Sequence, residues 1–187
     1  RACARSGYRC SSISMQSIEL TSPVGSYESL MAAIQAGTDS VYFGIGQLNM
    51  RSRASTNFTL KDLKKIANIC KKNSIKSYLT LNTVVYDNEF NTIKKICDEA
   101  KKANITAAIA SDISVIQYAN KINLPVHIST QANVSNIEAV KFYSKYADVI
   151  VLARELTLEQ IKKITKEIKN KHIKGKNNKL IKIELFV

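Results

Sequence analysis

The 187-residue sequence has no Trp, two Pro, two His and four Cys. Neither HExxH nor GxSxG occurs, so the common zinc-peptidase and serine-hydrolase signatures are absent. Cys3, Cys10, Cys70 and Cys97 form no CxxC pair. They read as free thiols in a reducing compartment rather than as a metal knuckle, and no metal ligand is assigned. No apolar run reaches the roughly 18 residues of a membrane span, so no membrane partner is expected. Low-complexity segments and internal linkers are missing too. Acid is scarce: 15 Asp and Glu against 28 Lys and Arg leave a net charge of +13 and a pI near 9.6. That excess suits a polyanionic partner such as RNA. The plainer reading is solvated helix faces, as at Lys61, Lys64, Lys65, Lys71 and Lys72, and at Lys162, Lys163, Lys166 and Lys169.

What the chain does have is one repeating unit. A short apolar strand ends in a polar loop, an amphipathic helix follows, and the next strand begins about 25 to 30 residues on. Strands are expected over Ser17–Thr21, Ser40–Gly44, Ser77–Asn82, Ala107–Ser111, Val126–Thr130, Asp148–Ala153 and Lys179–Val187, with six helices between them. This alternation predicts an α/β fold, a (β/α)₈ TIM-barrel-like domain. A complete barrel needs about 250 residues, so the expected domain is the N-terminal part of a barrel over 15–187, truncated after about seven parallel strands and six helices. A smaller open parallel sheet is the alternative. Residues 1–14, with Arg and Ser but no acid, read as a disordered leader or tag, with Met15 as the natural start.

Local signals place the helices. Ser26 heads the first (Tyr27–Ala36) and Gly37 stops it. The second begins at Thr59, with Asp62 three residues on, and buries Leu63, Ile66, Ala67 and Cys70. The third (Asn88–Ala103) turns Phe90, Ile93, Ile96, Cys97 and Ala100 inward. Asp112, Asn136 and Thr157 head the last three. The Lys169–Lys179 stretch reads as a mobile surface turn.

Strand parity points to chemistry. Alternate side chains face the helices or the barrel lumen. Leu79 and Leu81, Val126 and Ile128, and Ile181 and Ile183 take one parity. The other parity holds Glu19, Tyr78, Asn82, His127, Gln131 and Glu184, an unusually polar lumen. Unpaired buried polar groups cost about 1–3 kcal/mol each, so these residues must form a hydrogen-bonded network or line a wet pocket for a small polar ligand.

The loops after the strands carry further candidates. Arg51 and Arg53 suit a carboxylate or phosphate. Arg154, sharing parity with Ile150 and Leu152, is expected at the lumen mouth, beside Glu155. His172 lies in the basic turn. His127, Ser129 and Asp112 make a poor triad, because His127 and Ser129 sit two residues apart on one strand, with Cα atoms about 7 Å apart.

Six ordered segments carry a resemblance: Glu19-Leu-Thr-Ser-Pro-Val-Gly25, Ala36-Gly-Thr-Asp-Ser-Val-Tyr-Phe-Gly44, Leu48-Asn-Met-Arg51, Thr80-Leu-Asn-Thr83, Ser129-Thr-Gln131 and Leu152-Ala-Arg-Glu155. Together they resemble the collagenase-like peptidases of unknown catalytic type, from Met15 onward. The family name implies proteolysis, whereas several members act in prephenate-dependent tRNA uridine hydroxylation, ribosomal-RNA cytidine hydroxylation or ubiquinone hydroxylation. The resemblance implies a cytoplasmic bacterial protein. It also implies that cysteines binding a [4Fe–4S] cluster would lie beyond Val187, so no residue here is assigned to a cluster and a fragment ending at Val187 would be inactive. The reading favoured from sequence is RNA base hydroxylation with prephenate, a small carboxylate. The alternatives are a metal-dependent peptidase and a non-catalytic RNA-binding or partner subunit. Arg154, Glu155 and Glu184 are the candidate catalytic residues. Arg51, Arg53, Asn82, Asp112, Gln131 and Asn136 are the candidates for binding substrate.

Overall fold

A computed structural model describes residues 18–46 and 58–187. Arg51, Arg53, the 1–14 leader, Cys3 and Cys10 lie outside these residues. Seven strands alternate with six α-helices: β1 (Thr21–Pro23), α1 (Tyr27–Gln35), β2 (Ser40–Gly44), α2 (Leu63–Lys72), β3 (Lys76–Leu81), α3 (Phe90–Lys102), β4 (Ala107–Ala110), α4 (Ile113–Lys121), β5 (Val126–Ile128), α5 (Ile137–Tyr143), β6 (Val149–Val151), α6 (Leu158–Asn170) and β7 (Lys182–Glu184). The strands form one sheet in chain order, every neighbouring pair parallel. This is an incomplete TIM-barrel-like α/β fold, as the βα repeat predicts.

Local chemistry sets the helix boundaries. Ser26 and Ser29 close a reciprocal capping box at α1. Thr59 and Asp62 do the same ahead of a 3₁₀ turn, Leu60–Asp62, that leads into α2. Thr157 and Gln160 box the start of α6. Each box satisfies backbone N–H groups that the first helical turn leaves unbonded. The stops have a common device. Gly37, Ser74, Asn104, Asn123 and His172 follow α1, α2, α3, α4 and α6, each at positive φ. A left-handed residue there reverses the chain toward the next strand. Apart from Gly37 these stops are not glycines, which hides them in the sequence, although Asn tolerates this conformation better than most residues.

The main core fills the space between sheet and helices. Val41 and Phe43 of β2, Leu79 and Leu81 of β3, Ile128 of β5 and Ile150 of β6 pack with Leu30, Leu63, Ile66, Ile93 and Ile116, and all are almost fully buried. The predicted stripe of α2 is the buried one, and so is that of α3 except Phe90, which is half-buried. Cys70 and Cys97 are free thiols within this core. Burial pushes them up to about 11 and about 12, so both are protonated at neutral pH.

Three expectations are corrected. β1 begins at Thr21 rather than Ser17, because its partner β2 begins at Ser40; Ile18 and Leu20 are 91% and 54% exposed instead of covered by helices. β7 spans Lys182–Glu184, matching the three residues of β6, and Leu180 instead pairs antiparallel with Lys174. The basic stretch before β7 is therefore a bonded hairpin, not a loose turn. Asn177 N–H donates to Asp148 Oδ1 at 2.8 Å, and Gly175 lies so close to Ala147 and Asp148 that an added Cβ would stand 2.6 Å from Asp148 Oδ1.

Candidate functional site

The sheet curls strongly. Laid flat, β1 and β7 would be about 29 Å apart, six spacings of about 4.8 Å. Instead side chains from non-neighbouring strands meet: Tyr78 of β3 bonds Glu19, just before β1, and lies 4.5 Å from the His127 ring of β5, whose Nδ1 is 3.9 Å from Glu184 at the end of β7. Register identifies the inward face. Thr21 pairs with Ser40 and Ser40 with Lys76; Tyr42 pairs with Tyr78; Thr80 pairs with Ile109 and Ile109 with His127; Val151 pairs with Glu184. All of these point away from the helix-side core.

The odd-numbered strands converge on one polar layer, the stacking by alternate strands expected in a barrel. Tyr78 of β3 donates its hydroxyl to Glu19, and Lys76 forms an ion pair with the same carboxylate. The Tyr78 and His127 rings lie 4.5 Å apart. His127 Nδ1 lies 3.9 Å from Glu184 Oε2, a close approach but beyond hydrogen-bond length. Strands β2 and β4 add an apolar patch, in which Tyr42 packs with Tyr78, Ala107 and Ile109. The lumen is thus only half polar. Tyr42, Ala107 and Ile109 soften the wholly polar expectation.

Electrostatics separate the two carboxylates. Burial pushes Glu19 up, but hydrogen bonds from Lys76, Tyr78 and Ser40 outweigh it and hold Glu19 below the usual carboxylate range. Among the described residues Glu184 has no such donors; burial, then the negative charge of Glu19, push it up. Tyr78 is pushed up by burial and by Glu19, so it stays a hydrogen-bond donor. Burial pushes His127 down to about 4, so the imidazole is neutral at pH 7. An uncharged histidine does not make an ion pair with Glu184.

The C-terminal ends of the strands form the mouth. Asn82 donates to Ser129 Oγ across β3 and β5 at 3.4 Å, and Ser111 donates to the Asn82 carbonyl. Glu184, the last residue of β7, stands beside His127 of β5, two residues before Ser129, its side chain one-quarter exposed. Other candidates have structural employment. Asp112 caps α4, accepting from Ser114 N–H at 2.8 Å and from the Ser114 hydroxyl. Replacing Asp112 with Ala should cost about 1 kcal/mol of stability in urea denaturation. Asn136 caps α5, accepting from Ala139 N–H at 2.9 Å. Gln131 lies exposed on a 3₁₀ turn, Thr130–Ala132. The parity argument for Arg154 fails, because Ile150 and Leu152 belong to the helix-side core and β6 ends at Val151. Arg154 sits in an exposed turn with its guanidinium 4.4 Å from the Phe186 ring centre, and Glu155 is exposed beside it. Asp112, Ser129 and His127 do not assemble as a triad: Asp112 serves its helix, Ser129 accepts from Gln131 N–H, and His127 faces Tyr78 and Glu184.

Lys76 is the layer member that sequence reading missed. It stands two residues before Tyr78 and shares its parity, and that signal was available. Lys61, Lys64, Lys65 and Lys72 line a groove of about 550 Å³ on the outer side of α2, away from the lumen. Among the described residues no three His, Cys, Asp or Glu side chains converge to hold a metal ion. No helix among them is long and apolar enough to cross a membrane.

Similarity to known proteins places the chain in a family. A collagenase of Porphyromonas gingivalis is 52% identical over 174 residues, covering 93% of this chain and 42% of that protein. An uncharacterized protease of Methanocaldococcus jannaschii is 44% identical over 155 residues, 83% of this chain and 38% of that one. A tRNA hydroxylation protein P of Helicobacter pylori is 32% identical over 176 residues, 92% of this chain and 39% of that one. The chain spans about two fifths of the length of these relatives. A solved U32 peptidase shares the fold, with a TM-score of 0.68 at 13% identity over 99% of this chain and 72% of that one. The model of peptidase family U32 matches residues 25–187, and the chain belongs to that family.

Proposed function

We propose that the full-length protein hydrolyses peptide bonds in a collagen-type polypeptide, with Glu184 as the general base at the barrel mouth. The observation carrying this reading is the 52% identity to a collagenase across 93% of the chain. It reverses the order favoured from sequence, where RNA hydroxylation came first. The site chemistry supports it. Two carboxylates whose environments push them apart make an acid–base pairing: Glu19 stays ionised within its hydrogen bonds, while Glu184 is raised toward the pH at which a base works best. Glu184 would take a proton from the attacking water. The test is cleavage of denatured collagen by purified full-length protein, with and without a chelator. Cleavage supports the reading, and chelation decides the metal dependence expected from sequence. Intact gelatin would reject it.

RNA hydroxylation is the second reading. It is favoured by the 32% identity to a tRNA hydroxylation protein and by the +13 charge. Under this reading prephenate, or another small carboxylate, would enter the same mouth, and any [4Fe–4S] cluster would be held outside this segment. Mass spectrometry of RNA nucleosides from a deletion strain, with and without the full gene restored, decides it: a hydroxylated base lost and regained supports this reading, and an unchanged profile rejects it.

A further inference from the structure

The polar layer leaves His127 Nδ1 buried without a hydrogen-bond partner among the described residues. The residue is 8% exposed, so solvent does not readily supply one. Its ring is held 4.5 Å from Tyr78, whose hydroxyl is tied to Glu19. This sets the direction of Nδ1. Glu184 Oε2 lies 3.9 Å from it, at the end of β7, on a side chain exposed enough to shift. A small torsional change brings the two atoms into hydrogen-bond range. The charged and titratable groups acting on the ring come from every neighbouring element: Glu19 before β1, Lys76 and Tyr78 on β3, Asp148 before β6, and Lys182 and Glu184 on β7. A neutral imidazole carries one N–H. The carboxylate opposite Nδ1 favours the proton on that nitrogen.

We propose that His127 is a positioning residue for Glu184: it donates from Nδ1 to one carboxylate oxygen and turns the other toward the mouth. The proposal deepens the peptidase reading and rests on Glu184 as its base. In the step it serves, the free oxygen of Glu184 takes a proton from water while the water oxygen bonds to the peptide carbonyl carbon. The same proton then passes to the leaving amine nitrogen as the C–N bond breaks. His127 keeps its Nδ1 proton throughout.

The test follows the Glu184 carboxyl directly. Full-length protein is labelled with ¹³C at the glutamate carboxyls, the Glu184 signal is assigned by its loss in Glu184→Gln, and its titration is compared in wild type, His127→Phe and His127→Asn. Losing the Nδ1 donor in His127→Phe should raise the Glu184 midpoint by about one pH unit. His127→Asn, whose amide can donate from nearly the same place, should restore most of it. On gelatin, kcat should fall about tenfold in His127→Phe with KM little changed, the acid limb of the pH profile should follow the carboxyl midpoint, and His127→Asn should recover activity. An identical Glu184 midpoint in wild type and His127→Phe would overturn the proposal, whether or not the protein cleaves gelatin. Equal losses in both variants would overturn it as well, marking His127 as a packing residue. A shifted midpoint in a protein that leaves gelatin intact supports the His127–Glu184 contact and rejects the peptidase reading instead.

Discussion

Glu184→Gln should reduce gelatin cleavage by the full-length protein about 10²–10⁴-fold, the usual worth of a general base. Gln keeps the shape of the side chain but cannot accept the proton from water. The fold should hold, because the strand contact at this position is made by the backbone: Leu152 N–H donates to the Glu184 carbonyl at 3.1 Å. Stability should even rise slightly near neutral pH, since Gln relieves a buried carboxylate facing the negative charge of Glu19. The measurement pairs initial cleavage rates with a thermal melt. Undiminished cleavage with an intact fold would remove Glu184 from the mechanism.

The second large effect is on stability against pH. His127 titrates near 6.5 when unfolded and at about 4 in the folded chain, because burial penalises its charged form. Between these values the unfolded state binds the extra proton. His127 therefore costs nothing above about pH 6.5, and folding stability is lost progressively as pH falls toward 4. The loss integrates to roughly 3 kcal/mol. Glu184 works the other way: its raised folded value means that stability is lost as pH rises through the window above its unfolded value. Subtracting His127→Phe from wild type isolates the histidine when both carry Glu184→Gln, which removes the carboxylate that His127 tunes. Phe can still pack on Tyr78 but does not titrate. In urea denaturation the two proteins should follow parallel curves above pH 6.5, and the one that keeps His127 should then fall away by roughly 3 kcal/mol by pH 4. Curves that stay parallel throughout would show that His127 is solvated in solution.

The helices were legible because their determinants are local. The stripe Leu63, Ile66, Ala67 and Cys70 recurs at helical spacing and is the buried face of α2, and Ser26, Asp112, Asn136 and Thr157 cap helices where they stand in the chain. Strand ends were less legible, because a strand is only as long as its partner allows. Ile18 and Leu20 have the apolar parity of a covered strand, yet lie exposed because β2 starts too late to pair with them. Arg154 shows the limit of parity itself: alternation holds within a ladder and lapses where β6 ends, at Val151.

The candidate site divides the same way. Tyr78, His127 and Glu184 could be named from alternation, since each shares its strand with helix-facing apolar neighbours, whereas Glu19 precedes β1 and its apolar neighbours Ile18 and Leu20 are exposed. Their roles could not. Which carboxylate is tied up and which is raised depends on Lys76 and Tyr78 reaching Glu19 but not Glu184. Asp112 and Asn136 read from sequence as candidates for binding substrate, and only the structure shows their oxygens accepting helix N–H groups.

The order of elements, their parallel pairing and the inward parity of each strand were thus determined by the sequence, through short-range periodicity and caps that act within a few residues. Only the tertiary structure decided that residues 49 to 165 positions apart meet in one layer. Curling of the sheet brings alternate strands together, and burial there, absent from any local pattern, sets the charge of each group.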